Sequence, residues 1–254
     1  MRPVVLLTDF GLQDHYVGVL HAVLHRLAAK AERIDLGHQV PAGDIWGACF
    51  RLRCAWQHLP ENAVVLAVVD PGVGGERRAV AVRVGDRWIV APDNGLAMAA
   101  GPVASVVVLE WRRMGLAEPS ATFHGRDLFA PAAARLARGD DPEDLGRPLP
   151  PESLNPCPLP EPAHSGTGLE GVVLHLDRFG NVVTNIPAAA VAPAVGLHFG
   201  AGEHAPRVRT YGDAPPGEVV VLEGSSGLLE LAVNGGSAAE RTGLERGDRI
   251  TVVS

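Results

Sequence analysis

The sequence predicts an α/β protein in two parts: an N-terminal α/β domain with a mainly parallel central sheet (residues 1–147) and a smaller all-β domain (residues 167–254). Three observations predict it. Apolar runs and helical periods alternate through the first 140 residues, the pattern of helices packed on a sheet. Seven prolines then fall between Pro148 and Pro162, which marks residues 148–166 as a linker, because proline donates no ladder hydrogen bond and stiffens the chain. Beyond it come the runs GVVLHL, NVVTNI, EVVVLEG, LLELAV and RITVV, separated by Gly, Pro and Asn, with no sustained helical period. That spacing suits a sandwich or barrel.

Each element has its own signal. Pro3 to Thr8 is a short apolar run, a buried strand. Asp14 suits an N-cap for a helix whose apolar residues Val17, Leu20, Val23, Leu24 and Leu27 share one face. Arg33 to Leu36 reads as a second strand, and Asp44 opens a second helix with Ile45, Ala48, Cys49 and Leu52 on one side. Ala63 to Val69 is continuously apolar, as buried parallel strands are. Ala79–Val84 and Trp88–Ala91 flank GDR and read as a hairpin. Val103 to Leu109 is a further strand, and Arg126 to Arg138 is helical with Pro131 as its one irregular feature.

Composition narrows the function. At about 100–200 residues per domain, 254 residues allow one large domain or two smaller ones. A formal net charge of −7 argues against a nucleic-acid surface, which carries a basic stripe. Cys49, Cys54 and Cys157 are an odd number without paired spacing, so neither a disulfide framework nor a zinc site is expected. No apolar run is long enough to span a membrane, and MRPVVLLTDF is too short for a signal peptide. A cytoplasmic protein with no nucleic-acid or membrane partner is the expectation.

Carboxylates recur at strand ends: Asp9 in TDFG, Asp70 in VVDPGVGGERR, Asp93 in PDNG. Open α/β sheets bind ligands beyond the carboxyl ends of their strands. Taken singly, an Asp after a strand is ordinarily a turn former or cap. The glycines after Asp70 fit neither a P-loop nor a dinucleotide fingerprint. His124 in FHGRD has no second histidine at ligand spacing, so no metal is expected there. DRFGNVVTN and EGSSG read locally as ordinary turns.

Taken in order, TDFGLQDHYVG, VVDPGVGGERR, APDNGL, TFHGRDLFAPAAARLA, DRFGNVVTNI and GSSGLLELAVNGGSA form a more specific signal. The series resembles the S-adenosylmethionine hydroxide adenosyltransferase family, relatives of the fluorinating and chlorinating enzymes, from Val4 to about Val253. The resemblance implies an α/β domain followed by a β domain. It also implies attack of water on ribose C5′ of S-adenosyl-L-methionine, giving adenosine and L-methionine without metal or cofactor. A homotrimer with sites between subunits is implied as well. The catalytic trio of the hydrolytic members falls on Asp70, Arg77 and His124. Asp9 matches the residue on the ribose hydroxyls. Asp14, Asp177 and Ser225 match the methionine end, and Asn181 with Val233, Asn234 and Gly235 the adenine pocket. Gly43 stands where an aromatic ring is usual, and Gly37 where Ser or Thr precedes the first-domain histidine, His38. Two rivals to hydrolysis stay open: a halide-dependent adenosyltransferase and a non-catalytic binder of S-adenosylmethionine or adenosine.

Overall fold

The computed structural model describes residues 1–165, 168–192, 196–200 and 202–252. The expected domain borders at 166–167 and 253–254 lie outside these residues. The chain forms two compact units, Met1–Pro158 and one beginning at Leu159.

The first unit is a seven-stranded sheet in the order β2-β1-β3-β5-β4-β6-β7. Its strands are β1 (Val4–Thr8), β2 (Arg33–Gly37), β3 (Val64–Val68), β4 (Ala79–Val84), β5 (Arg87–Pro92), β6 (Ser105–Leu109) and β7 (Gly146–Leu149). The pairs β1/β2, β1/β3 and β3/β5 are parallel. The pairs β4/β5, β4/β6 and β6/β7 are antiparallel. The expectation of a mainly parallel sheet is therefore corrected: the sheet is mixed, half in each sense. The reversal follows from the hairpin, where Gly85 takes φ +58° in a two-residue turn too short for a parallel crossover.

Three helices accompany the sheet: α1 (Tyr16–Leu27), α2 (Ile45–Ala55) and α3 (Ala130–Arg138). Their apolar faces meet the strands in a core that includes Leu6, Leu66, Leu20, Leu24, Phe129 and Leu136. Asp44 caps α2, its carboxylate accepting from Gly47 N at 3.0 Å. Asp14 does not cap α1. The N-cap is His15, with no side-chain bond, and Asp14 lies exposed one residue earlier. The helix expected over Arg126–Arg138 is two segments. A π-helical turn, Gly125–Phe129, leads without a break into α3, and Pro131 is the second residue of α3. The proline-rich stretch is laid on this unit as far as Pro158: Asn155 donates from its backbone and side chain to Asp93, at 2.9 and 2.7 Å.

Among the described residues, the second unit is an eight-stranded sheet in which every strand pair is antiparallel. Its strands are β8 (Ala163–Ser165), β9 (Gly168–Leu176), β10 (Val182–Pro187), β11 (Leu197–Phe199), β12 (Glu203–Ala205), β13 (Val219–Glu223), β14 (Leu228–Val233) and β15 (Arg249–Val252). It also holds a short helix, α4 (Ala238–Thr242), whose five residues are too few to show a helical period in sequence. Val173, Val182, Val221, Leu231 and Ile250 centre its separate core.

Asp44→Ala is expected to lower the unfolding free energy by about 1 kcal/mol, the usual cost of losing an N-cap. Urea titration of the two proteins measures it.

Candidate active site

The order β2-β1-β3 places a topological switch point between β1 and β3, where chain connections diverge to either side and leave a crevice beyond the strand ends. Thr8 pairs with Val68 at the last register position, so Asp9 and Asp70 emerge side by side.

The loop after β3 turns twice, through Val73 N to Asp70 O (3.2 Å) and Gly75 N to Gly72 O (3.0 Å). Gly74 has φ +76°, and a Cβ there would stand 2.3 Å from Ala121 O. Glycine is the residue that allows this backbone to lie against the segment leading to His124. The loop then returns Arg77 onto Asp70. Arg77 Nε lies 3.0 Å from both carboxylate oxygens, and Nη2 makes a further, very short bond to Oδ2. The two side chains are 13% and 6% exposed, an ion pair largely withdrawn from water. The guanidinium also sits 5.3 Å from the centre of the Phe129 ring.

Arg77 Nη2 is 2.8 Å from His124 Nδ1. A guanidinium has donors and no acceptor, so Nδ1 must accept, and the imidazole is neutral with its proton on Nε2. Burial pushes the His124 pKa below its ordinary value, and the charge of Arg77 adds to the shift against the pull of Asp70 and Asp127. Asp127 steadies the segment by accepting from Ser120 N at 3.0 Å and from Arg126 Nε at 2.6 Å.

Asp70 and His124 line a cavity of about 500 Å³ together with Asp9, Phe10, Tyr16 and Phe123. Asp9 accepts from Gly43 N at 2.8 Å. Burial raises its pKa, and the charge of Asp70 adds to that while the backbone bonds oppose it. Gly43, at φ +72°, gives this site a backbone amide where the resemblance would place a ring. The aromatic residues of the cavity are absent from the set that the sequence motifs point to. Tyr16 and Phe123 meet edge-on with centroids 5.2 Å apart, and Phe10 and Phe123 at 5.8 Å. The chain has six phenylalanines and two tyrosines, and three of these eight face one cavity. Their adjacency to TD, DH and HGRD is the signal that could have found them. Asp14 is exposed and does not border the cavity; its neighbours His15 and Tyr16 do.

In the second unit, Asp177 organises the turn that carries Asn181. Its Oδ1 accepts from Phe179 N (2.8 Å) and Asn181 N (2.9 Å), and its Oδ2 from Asn181 Nδ2 (2.9 Å). Gly180 lies against Ser237, which brings this turn to the loop holding Val233, Asn234 and Gly235. Asn234 is itself pinned, its Nδ2 donating to Ala214 O at 2.8 Å. Tyr211, which no motif singles out, donates to Glu230 Oε1 at 2.7 Å, and burial, then Glu230, push its hydroxyl up to about 12. Ser225 is exposed on the β13–β14 turn, bordering a different cavity with Arg207 and Arg209.

Comparison with known proteins gives concordant matches. Residues 4–146 match the SAM hydroxide adenosyltransferase N-terminal domain, and residues 171–251 the corresponding C-terminal domain. A Thermus thermophilus protein named (R)-S-adenosyl-L-methionine hydrolase is 48% identical over 97% of this chain and 98% of its own. A protein of the same name from Salinispora tropica is 43% identical over 97% and 96%. The crystal structure of an uncharacterized conserved protein from Thermotoga maritima superposes with a TM-score of 0.91 at 36% identity, covering 99% of this chain and 100% of that one.

The His124 geometry makes a pH prediction. A base whose charged form is disfavoured in the fold binds fewer protons there than in the unfolded chain. His124 should thus titrate below its ordinary value of 6.5, and its contribution to stability should fall as pH drops through 6.5 toward the folded value. Arg77→Gln removes a repelling charge and leaves the attraction of Asp70, so the His124 value should rise. NMR titration of the His124 ring protons in both proteins checks the direction; an unchanged or lower value in the variant would refute it.

Proposed function

The chain belongs to the SAM hydroxide adenosyltransferase family, and on that premise we propose that it hydrolyses S-adenosyl-L-methionine to adenosine and L-methionine. The coarser statement, adenosyl transfer or hydrolysis at S-adenosylmethionine, rests on the family match and on relatives named as hydrolases. Hydrolysis is favoured by a single observation: Arg77 bridges Asp70 and His124, two residues that line the cavity.

In the proposed step a water oxygen forms a bond to C5′ while the C5′–S bond breaks, its electron pair returning to sulfur as the neutral thioether of methionine. The water must lose one proton. Asp70 is the acceptor: its Oδ1 takes one N–H from Arg77 and keeps a lone pair for the water. His124 cannot accept at Nδ1, which Arg77 already occupies, so it orients the water by donating from Nε2. Arg77 favours hydroxide character by its fixed charge. The gain from holding water in line with the leaving sulfur is one of position.

Asp9 takes the ribose hydroxyls, as a half-buried carboxylate with an oxygen to spare beside Gly43 N. The aromatic trio lines the apolar part of the same cavity. Asp177, Asn181, Ser225 and the Val233–Gly235 turn complete the substrate contacts. Asp14, exposed in the single chain as Ser225 is, serves the methionine end with these residues. The assembly is a homotrimer, in which the first unit of one subunit meets the second unit of a neighbour.

Adenosine release from S-adenosyl-L-methionine, followed chromatographically with and without chloride, tests the reaction. Adenosine without chloride supports it; a chlorinated nucleoside formed only with chloride would favour halide transfer, and neither product a binding role. Asp70→Asn and Arg77→Met should each cut turnover by about 10²–10⁴-fold. Each should also cost about 3–5 kcal/mol by stranding a buried partner. The Asp70→Leu/Arg77→Met double variant should regain much of that stability and none of the activity. Recovery of activity with stability would make the pair merely structural.

Asp70→Ala and Asn181→Ala subunits, refolded together, test the shared site. Around a cyclic trimer every mixed ring has one junction between two intact units. With random equimolar mixing about three quarters of rings are mixed, so about a quarter of all sites should recover. Mixed trimers no more active than the separate variants would rule the shared site out.

A further inference from the structure

Behind the segment that carries Asp9, three side chains from separate elements converge. His21 lies on α1, Asp35 on β2, and His38 just beyond β2. His21 Nε2 is 2.9 Å and His38 Nε2 3.1 Å from the same oxygen, Asp35 Oδ1. One ligand atom from each residue lies within 4.8 Å of the others. None of the three borders the cavity described above.

The state of His38 is the telling feature. The residue is 4% exposed, and its Nε2 makes no hydrogen bond, since the approach to Asp35 is out of line. A buried ring nitrogen left so is costly unless something else satisfies it. Its other nitrogen, Nδ1, is held 2.8 Å from Thr8 Oγ1. A hydroxyl can accept as well as donate, so Thr8 can hold the Nδ1–H tautomer and leave the Nε2 lone pair free. That is the outer-shell arrangement of metal-ligating histidines, one ring nitrogen tied to an oxygen and the other free for the ion.

We propose that His21 Nε2, Asp35 Oδ1 and His38 Nε2 form a binding site for a zinc-class divalent transition-metal ion, with water in the fourth position. Imidazole with carboxylate suits Zn²⁺ and Co²⁺. Ligand atoms at about 2.0–2.1 Å in a tetrahedron stand roughly 3.3 Å apart, so the present 2.9 and 3.1 Å need to open only slightly. The His21 and Asp35 side chains are 31% and 48% exposed, which gives the ion a path from solvent and room for the water.

The ion would act on structure. Thr8 Oγ1 also accepts from Phe10 N at 3.3 Å, and His38 O accepts from Gly11 N at 2.7 Å. Fixing His38 therefore fixes the backbone on both sides of Asp9 and ties α1 to β2. The inference stands apart from the reaction proposed above.

The test uses the full chain, stripped with a chelator and desalted, and Zn²⁺ or Co²⁺ alone as probe. Calorimetry should show one equivalent of Zn²⁺, and Co²⁺ should give the visible absorption of a four-coordinate ion. Zn²⁺ should raise the melting temperature. His21→Ala and Asp35→Asn, at half-buried and exposed positions outside the core, should each weaken binding at least about 10-fold and remove the thermal shift. Thr8→Val should weaken it by about 10–100-fold through the lost outer-shell bond. No heat and no Co²⁺ band in the wild type, or unchanged binding in both His21→Ala and Asp35→Asn, would overturn the proposal.

Discussion

An arginine that cannot give up its proton organises the first unit's site. Arg77 can only donate, so whatever touches it must accept. Asp70 does so with both oxygens and His124 with Nδ1. One cation thereby fixes the rotamer of a carboxylate and the tautomer of an imidazole, two settings that proton exchange would otherwise leave open. The glycine-rich loop serves this contact. A residue seven positions after Asp70 must come back to it, and the chain must do so against the segment that bears His124. Gly74, at positive φ and without room for a Cβ, meets both demands.

The sheet sets where this happens. Only a parallel neighbour sends its own carboxyl end to the same edge, so Asp9 and Asp70 share a crevice because β1 and β3 run together. The antiparallel half, beginning at the β4–β5 hairpin, contributes no strand end beside Asp9 and instead extends the core. The unit thus separates a half that presents ligand-facing carboxylates from a half that buries apolar surface.

Much of the fold was legible where the signal is local. Val64–Val68 is continuously apolar, Gly85 marks its turn, and Asp44 has an amide three residues on to accept from. The direction of β6 was not legible: an apolar run such as SVVVL reads the same in a parallel or an antiparallel ladder, and only its distant partners decide. Asp14 failed for a related reason, since a capping residue one position early is chemically suitable and geometrically useless. In the site, the ordered motifs pointed to Asp70, Arg77 and His124, which the fold brings into one hydrogen-bonded chain. The aromatic trio and the His21–Asp35–His38 cluster have no spacing rule, because their members come from different elements and meet only after folding.

The three carboxylates of greatest interest are each held in a different way, and the difference decides what each has left for a ligand. Asp70 is held by a cation, which fixes its orientation and balances its charge. Asp9 is held only by backbone amides, Gly43 N among them, and carries a burial penalty, so it keeps acceptor capacity in a place where gaining hydroxyl donors would be favourable. Asp177 is held by three neutral N–H donors of its own turn, which orient it without cancelling its charge. A carboxylate so placed is already oriented, so a partner group meets it at little further entropic cost.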